Sequence, residues 1–217
     1  MNAAKDCTLQ EKLLRCAMAL ILAAGALLAS VAASPAYAAP STVDVSVGGK
    51  IPYGGFATTW MSADGNIAYC AEPSSPTPEP GSYSTSPVPS GDVTAAIWYS
   101  FGSPGFDASM FPGSWYDGGG WDDAKYAAAS HVLIAYAYSG SESAATHGTS
   151  AEFASWAKSE LIGGTFAKMK AGAGKVSAGF EAFCVRTGGG SQTLVSFSWS
   201  AGGVKVAKHG NRAASSL

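Results

Sequence analysis

Residues 122–140, DDAKYAAASHVLIAYAYSG, read as a single helix with almost no solvent face. Asp122 and Asp123 supply the carboxylates that satisfy free N–H groups at a helix start, and Gly140 is the residue type that ends one. Between them Ala127, Ala128, Ala129, Val132, Leu133, Ile134, Ala135, Tyr136 and Ala137 circle the whole helix, so the segment is expected at the centre of the fold. What surrounds such a helix must bury it on all sides, and the flanking sequence supplies strands to do so.

Upstream, STVDVSVGGKI at 41–51 sets Val43, Val45 and Val47 against Asp44 and Ser46, the period of a half-buried strand, with its end expected at Gly48-Gly49. TTWMS and IAYCA flank the turn dipeptide Asp64-Gly65, which predicts a β-hairpin over 58–71 with Cys70 near its end. Pro73, Pro76, Pro78, Pro80, Pro87 and Pro89 then crowd 73–91, which is expected to be a loop or strap with no ladder. TAAIWYSFG from Thr94 is an apolar segment, helix slightly favoured over strand. The connection at 103–121 carries Phe106, Phe111, Trp115, Tyr116 and Trp121 among turn-forming glycines and prolines.

Downstream of the central helix, Thr149 and Glu152 form a capping box that opens an amphipathic helix over 149–162, stopped at Gly163-Gly164. The stretch 165–183 reads as a glycine-weakened helix. AFCVRT and QTLVSFSW are the arms of a second hairpin around Gly188 to Gly190, with Cys184 in its first strand and Val195, Phe197 and Trp199 on one face. The fold class is α+β: a β-rich body from early and late hairpins, a buried central helix and a second, amphipathic one.

The first 38 residues read as a signal peptide. Lys5, Lys12 and Arg15 precede the apolar run CAMALILAAGALLASVAA, and AYA at 36–38 supplies the small residues of a cleavage site. Cys7 and Cys16 leave with it. The domain then occupies 39–200, and 201–217 is an edge strand or a disordered tail. Of 13 Lys+Arg and 15 Asp+Glu, the leader takes Lys5, Lys12, Arg15, Asp6 and Glu11, leaving ten cations, thirteen anions and a net charge of −3. Neither nucleic acid nor an anionic membrane suits that balance. The protein is expected to be secreted or held at the cell wall and surface.

Export bears on the two remaining cysteines. In an oxidising compartment Cys70 and Cys184 are most simply a disulfide, and a bond closing about 113 residues would be worth about 4–5 kcal/mol by chain entropy. A nucleophile, a cross-linking group or a core thiol are the other readings of Cys70. His131, His147 and His209 have no metal-ligand spacing, and neither a metal nor a cofactor is expected. No GxSxG, HExxH or phosphate loop is present, and nothing in the sequence aims a histidine at Cys70. His131, mid-helix among apolar residues, reads first as a hydrogen-bonded core histidine.

The ordered set AYCAEP with its proline-rich PGSY turn, AAIWYSFG, PGFD followed by WYDG, YAAASHVLIAYAYSG and GFEAFCVRTGGGSQTLVSF resembles the head domain of Gram-positive thioester-domain adhesins and of VaFE-repeat surface-anchored proteins, over roughly residues 50–200. The resemblance implies a cysteine, here Cys70, acylated by a glutamine to form an internal thioester that captures a surface nucleophile. It matches the glutamine-bearing segment to Ser130-His131-Val132-Leu133, where His131 replaces the glutamine. Imidazole has no acyl carbon, so the resemblance with this departure implies a head that binds without a covalent bond, its cysteines paired as a disulfide. Gln192, the only glutamine after the leader, matches no thioester position on that reading. The expected partners are a glycan or protein on a host or neighbouring cell, with downstream stalk repeats in a longer parent protein, and Phe106, Phe111, Trp115, Tyr116 and Trp121 are the ligand-binding candidates, the other reading of those rings being a cover packed over the central helix. The alternatives are a small secreted hydrolase using His131 with Asp107, Asp117 or Asp122, and a purely structural head.

Overall fold

The computed structural model describes residues 39–201 and 204–205; the leader at 1–38 and the rest of the tail lie outside the described residues. Seven strands run in the order β3-β2-β1-β4-β5-β6-β7: β1 Thr42–Tyr53, β2 Phe56–Ala63, β3 Asn66–Cys70, β4 Gly81–Pro87, β5 Phe180–Arg186, β6 Leu194–Ala201 and β7 Val204–Lys205. Every pairing is antiparallel. A further pairing of β3 with β6, Tyr69 opposite Val195 and Cys70 opposite Leu194, joins the two ends of the six-strand run β3-β2-β1-β4-β5-β6 and closes it on itself. Closure removes the edges that an open sheet would leave unpaired.

Closure also gives the sheet an inside and an outside. Val43, Val45, Met61, Ala63, Ala68, Cys70, Phe183, Val185 and Leu194 form a small inner cluster. The outer face carries Ile51, Tyr53, Ile67, Tyr69, Cys184, Val195 and Phe197, and the helices pack there. The helices are α1 (Gly91–Tyr99), α2 (Asp123–Ser139), α3 (Glu142–Ala145), α4 (Ala151–Trp156) and α5 (Ala167–Ala171), with a π-helical stretch, Ala157–Phe166, joining the last two. The central helix of the sequence reading is α2. Asp122 Oδ1 accepts from Lys125 N at 2.9 Å at its start, Gly140 at φ 68° ends it, and residues 127–135 are all buried. None of the described helices is long and apolar enough to cross a membrane.

The 58–71 hairpin forms as predicted, with Asp64 at φ 49° and Gly65 at φ 79° in the turn, and so does the hairpin of β5 and β6. Several boundaries differ. β1 passes Gly48-Gly49 by a bulge, the register slipping between Val47 and Lys50, because one extra residue is absorbed without ending the ladder. The proline-rich strap contains a strand: residues 81–86 are free of proline, and β4 fills the gap between β1 and β5. Ser150, not Thr149, caps α4, accepting from Phe153 N at 3.2 Å. The helix runs through Gly163-Gly164 to Ala171, and buried Leu161, Thr165, Phe166 and Met169 hold it where glycine alone would not.

The expected disulfide is absent: Cys70 and Cys184 are both free buried thiols. The register explains it. Cys184 pairs with Val195, which pairs with Tyr69, whereas Cys70 pairs with Leu194, which pairs with Val185. Partners across a ladder share a face and neighbours along a strand do not, so the two cysteines lie on opposite faces of the closed sheet.

Candidate functional site

Cys70 is the last residue of β3, where the chain leaves the sheet for Ala71-Glu72-Pro73. Its backbone N–H donates to Nδ1 of His131 at 2.8 Å, which ties the strand end to the middle of α2. Thr58 of β2 stands between them, its Oγ1 3.2 Å from Cys70 Sγ and 3.4 Å from His131 Nδ1. Gln192, just before β6, lines the same pocket as Cys70, and its side chain favours the ionised form of the thiol. Gln192 is held there by its backbone: N donates to Pro76 O at 3.0 Å, and O accepts from Thr187 Oγ1 at 2.7 Å. Next to it Thr193 N donates to Glu72 Oε2 at 2.8 Å, so the proline strap and the start of β6 are laced together directly over Cys70.

Electrostatically the site is neutral. Burial pushes the Cys70 thiol up to about 11, against the smaller opposing pull of Thr58 and Gln192. Burial also holds His131 down to about 3, so the imidazole is uncharged at neutral pH. Since Nδ1 accepts the Cys70 N–H, the ring proton belongs on Nε2. Both His131 Nε2 and Gln192 Oε1 are buried without a hydrogen-bond partner. An orphaned buried polar atom costs about 1–3 kcal/mol, so two in one site call for a functional reason.

A pocket of about 400 Å3 opens onto these groups. Cys70, Thr58, His131 and Gln192 line it, together with Lys50, Tyr53, Phe56 and His147 and residues 73–77 of the strap. Sequence reasoning singled out Cys70 and His131 but missed Thr58 and Lys50, and it set Gln192 aside. The one signal for Gln192 was that no other glutamine follows the leader.

The remaining candidates lie elsewhere. Phe111 and Trp115 are 5% and 4% exposed, and Phe106, Tyr116 and Trp121 are half-buried against the core. Trp121 stacks on Tyr126 of α2 with centroids 4.7 Å apart, and Trp115 meets Phe153 and Trp156 edge-on or tilted. These rings cover the outer side of α2. Asp107, Asp117 and Asp122 are exposed and accept from nearby backbone N–H groups of Ser109, Gly119 and Lys125, so none of them is joined to His131. No group of His, Cys, Asp and Glu capable of holding a metal occurs among the described residues.

Residues 42–164 match the model of a family described as the thioester domain, a span that includes Cys70 and His131 and stops short of Gln192. The chain belongs to the thioester-domain family. No curated protein and no solved structure matches it.

Proposed function

We propose that this protein is a surface adhesion domain that attaches covalently to its target through an internal thioester between Cys70 and Gln192. The observation that carries the reading is that the Cys70 thiol and Gln192, whose Oε1 is buried and unpartnered, line one pocket. The reading reassigns the acyl partner from the position of His131 to Gln192, and with it replaces the non-covalent mode expected from the sequence.

Bond formation is an acyl exchange. Cys70 Sγ attacks Gln192 Cδ, the Cδ–Nε2 bond breaks, and Nε2 leaves as ammonia carrying the thiol proton. His131 takes no part in the covalent change. It fixes the backbone of the nucleophile through the Cys70 N–H bond, a positioning role suited to a neutral ring. A thiol of high pKa is a slow leaving group, so the same burial that makes Cys70 a weak nucleophile protects the thioester from water once it exists. The target then supplies a nucleophile at Cδ, and Cys70 is released as a thiol. Partners on this reading are a host or neighbouring-cell surface, reached from a secreted or wall-held position, and downstream stalk repeats in a longer parent protein.

Intact mass of the protein, purified after export, tests this directly. The expected mass is one ammonia below the formula of the processed chain, restored and raised by methylamine, and Cys70→Ala or Gln192→Ala abolishes the loss. Full formula mass with two titratable thiols at Cys70 and Cys184 would sink the reading.

A further inference from the structure

The lining of the pocket constrains which nucleophile reaches Cδ. Lys50 lines it, exposed, and makes no ion pair among the described residues. No carboxylate lines the pocket. Glu72, two residues past Cys70, is turned to the Thr193 N–H. A lysine side chain or another ammonium entering here finds a like charge and no counter-charge, whereas an anion finds Lys50. The other lining groups suit a polyol. Ser74, Ser75 and Thr77 present hydroxyls from the strap, Thr59 presents another from β2, and Phe56 offers a half-buried ring, packed edge-on against His147 with centroids 6.2 Å apart. Small hydroxyl donors with one aromatic face are the usual means of holding a sugar ring.

Resting on the Cys70–Gln192 thioester, we infer that the nucleophile is a hydroxyl of an acidic saccharide, and that the product is an ester between that sugar and Gln192. The sugar oxygen bonds to Cδ, the Cδ–Sγ bond breaks, and the hydroxyl proton ends on Cys70 Sγ. Thr58 Oγ1, 3.2 Å from the sulfur, is the group in reach to pass it on. A neutral hydroxyl enters this uncharged floor without the desolvation that an ammonium would suffer, and the acid group of the same sugar chain is held outside it at Lys50.

The test presents the ammonia-depleted protein, at neutral pH and equal probe concentration, with a uronic-acid tetrasaccharide, with maltotetraose and with Nα-acetyl-lysine methylamide, and reads adducts by intact mass. The uronic-acid adduct should form fastest and be stripped by hydroxylamine, as an ester is and an amide is not. Lys50→Glu, at an exposed position, should slow it by about tenfold while leaving the ammonia loss intact. Maltotetraose reacting as fast, the lysine amide reacting faster to give a hydroxylamine-resistant adduct, or an unchanged rate in Lys50→Glu would each overturn the inference and leave the thioester standing. A protein that never loses ammonia overturns both.

Discussion

His131 packs against Tyr69 with centroids 5.5 Å apart and holds Cys70 through its backbone, and its burial keeps it uncharged well into the acid range. The unfolded chain takes up a proton near pH 6.5, whereas the folded chain refuses it until about pH 3. Its contribution to stability is therefore complete above about pH 6.5 and is lost as the pH falls toward 3, by on the order of 5 kcal/mol across the whole interval. His131→Gln keeps an acceptor for the Cys70 N–H and removes the titration. Urea unfolding at pH 7 and at pH 4 should show a smaller acid loss in the variant than in the parent; equal losses would mean that His131 does not titrate in this window. At the same scale Cys184, on the outer face, has no partner to lose. Cys184→Ser should leave the ammonia loss in place and cost less than about 2 kcal/mol, since only a buried thiol is exchanged for a hydroxyl, and a drop of about 4–5 kcal/mol would point to a cross-link after all.

Among the elements, the β1–β2 turn links the pocket wall to the helical layer. Gly54, at φ +52°, accepts from Ser150 N at 2.6 Å just where Ser150 caps α4, and a Cβ on it would fall 2.4 Å from Phe153 Cγ. Gly65 in the β2–β3 turn also has a positive φ, +79°, but a Cβ there meets nothing within 4 Å. Gly65→Ala should then cost only the backbone strain, about 1–2 kcal/mol, and Gly54→Ala should add overpacking of about 1–3 kcal/mol and displace the start of α4. Thermal unfolding of the two variants side by side is the check, and equal losses would mean that Phe153 moves aside freely. The β2–β3 hairpin and α2 were legible because their signals are local: a turn dipeptide, an aspartate cap, a glycine stop and an apolar period. β4 was not, since prolines on either side masked a short run whose reason to be a strand is the open ladder positions of β1 and β5.

Across the whole molecule, the antiparallel sheet closes through β3 and β6, and that closure makes the site. It brings Thr58 of β2, Cys70 at the end of β3 and Gln192 just before β6 to one pocket, with His131 of α2 bonded to the Cys70 N–H. From the sequence alone came the α+β class, the buried central helix and both hairpins, because periodicity and capping are properties of neighbours along the chain. The tertiary structure alone decided that Cys70 and Cys184 face opposite sides of one sheet and that Gln192 lines the same pocket as Cys70. Each of those depends on the register of strands far apart in the chain, and a slip of one residue reverses every side chain on a strand while leaving its local pattern unchanged.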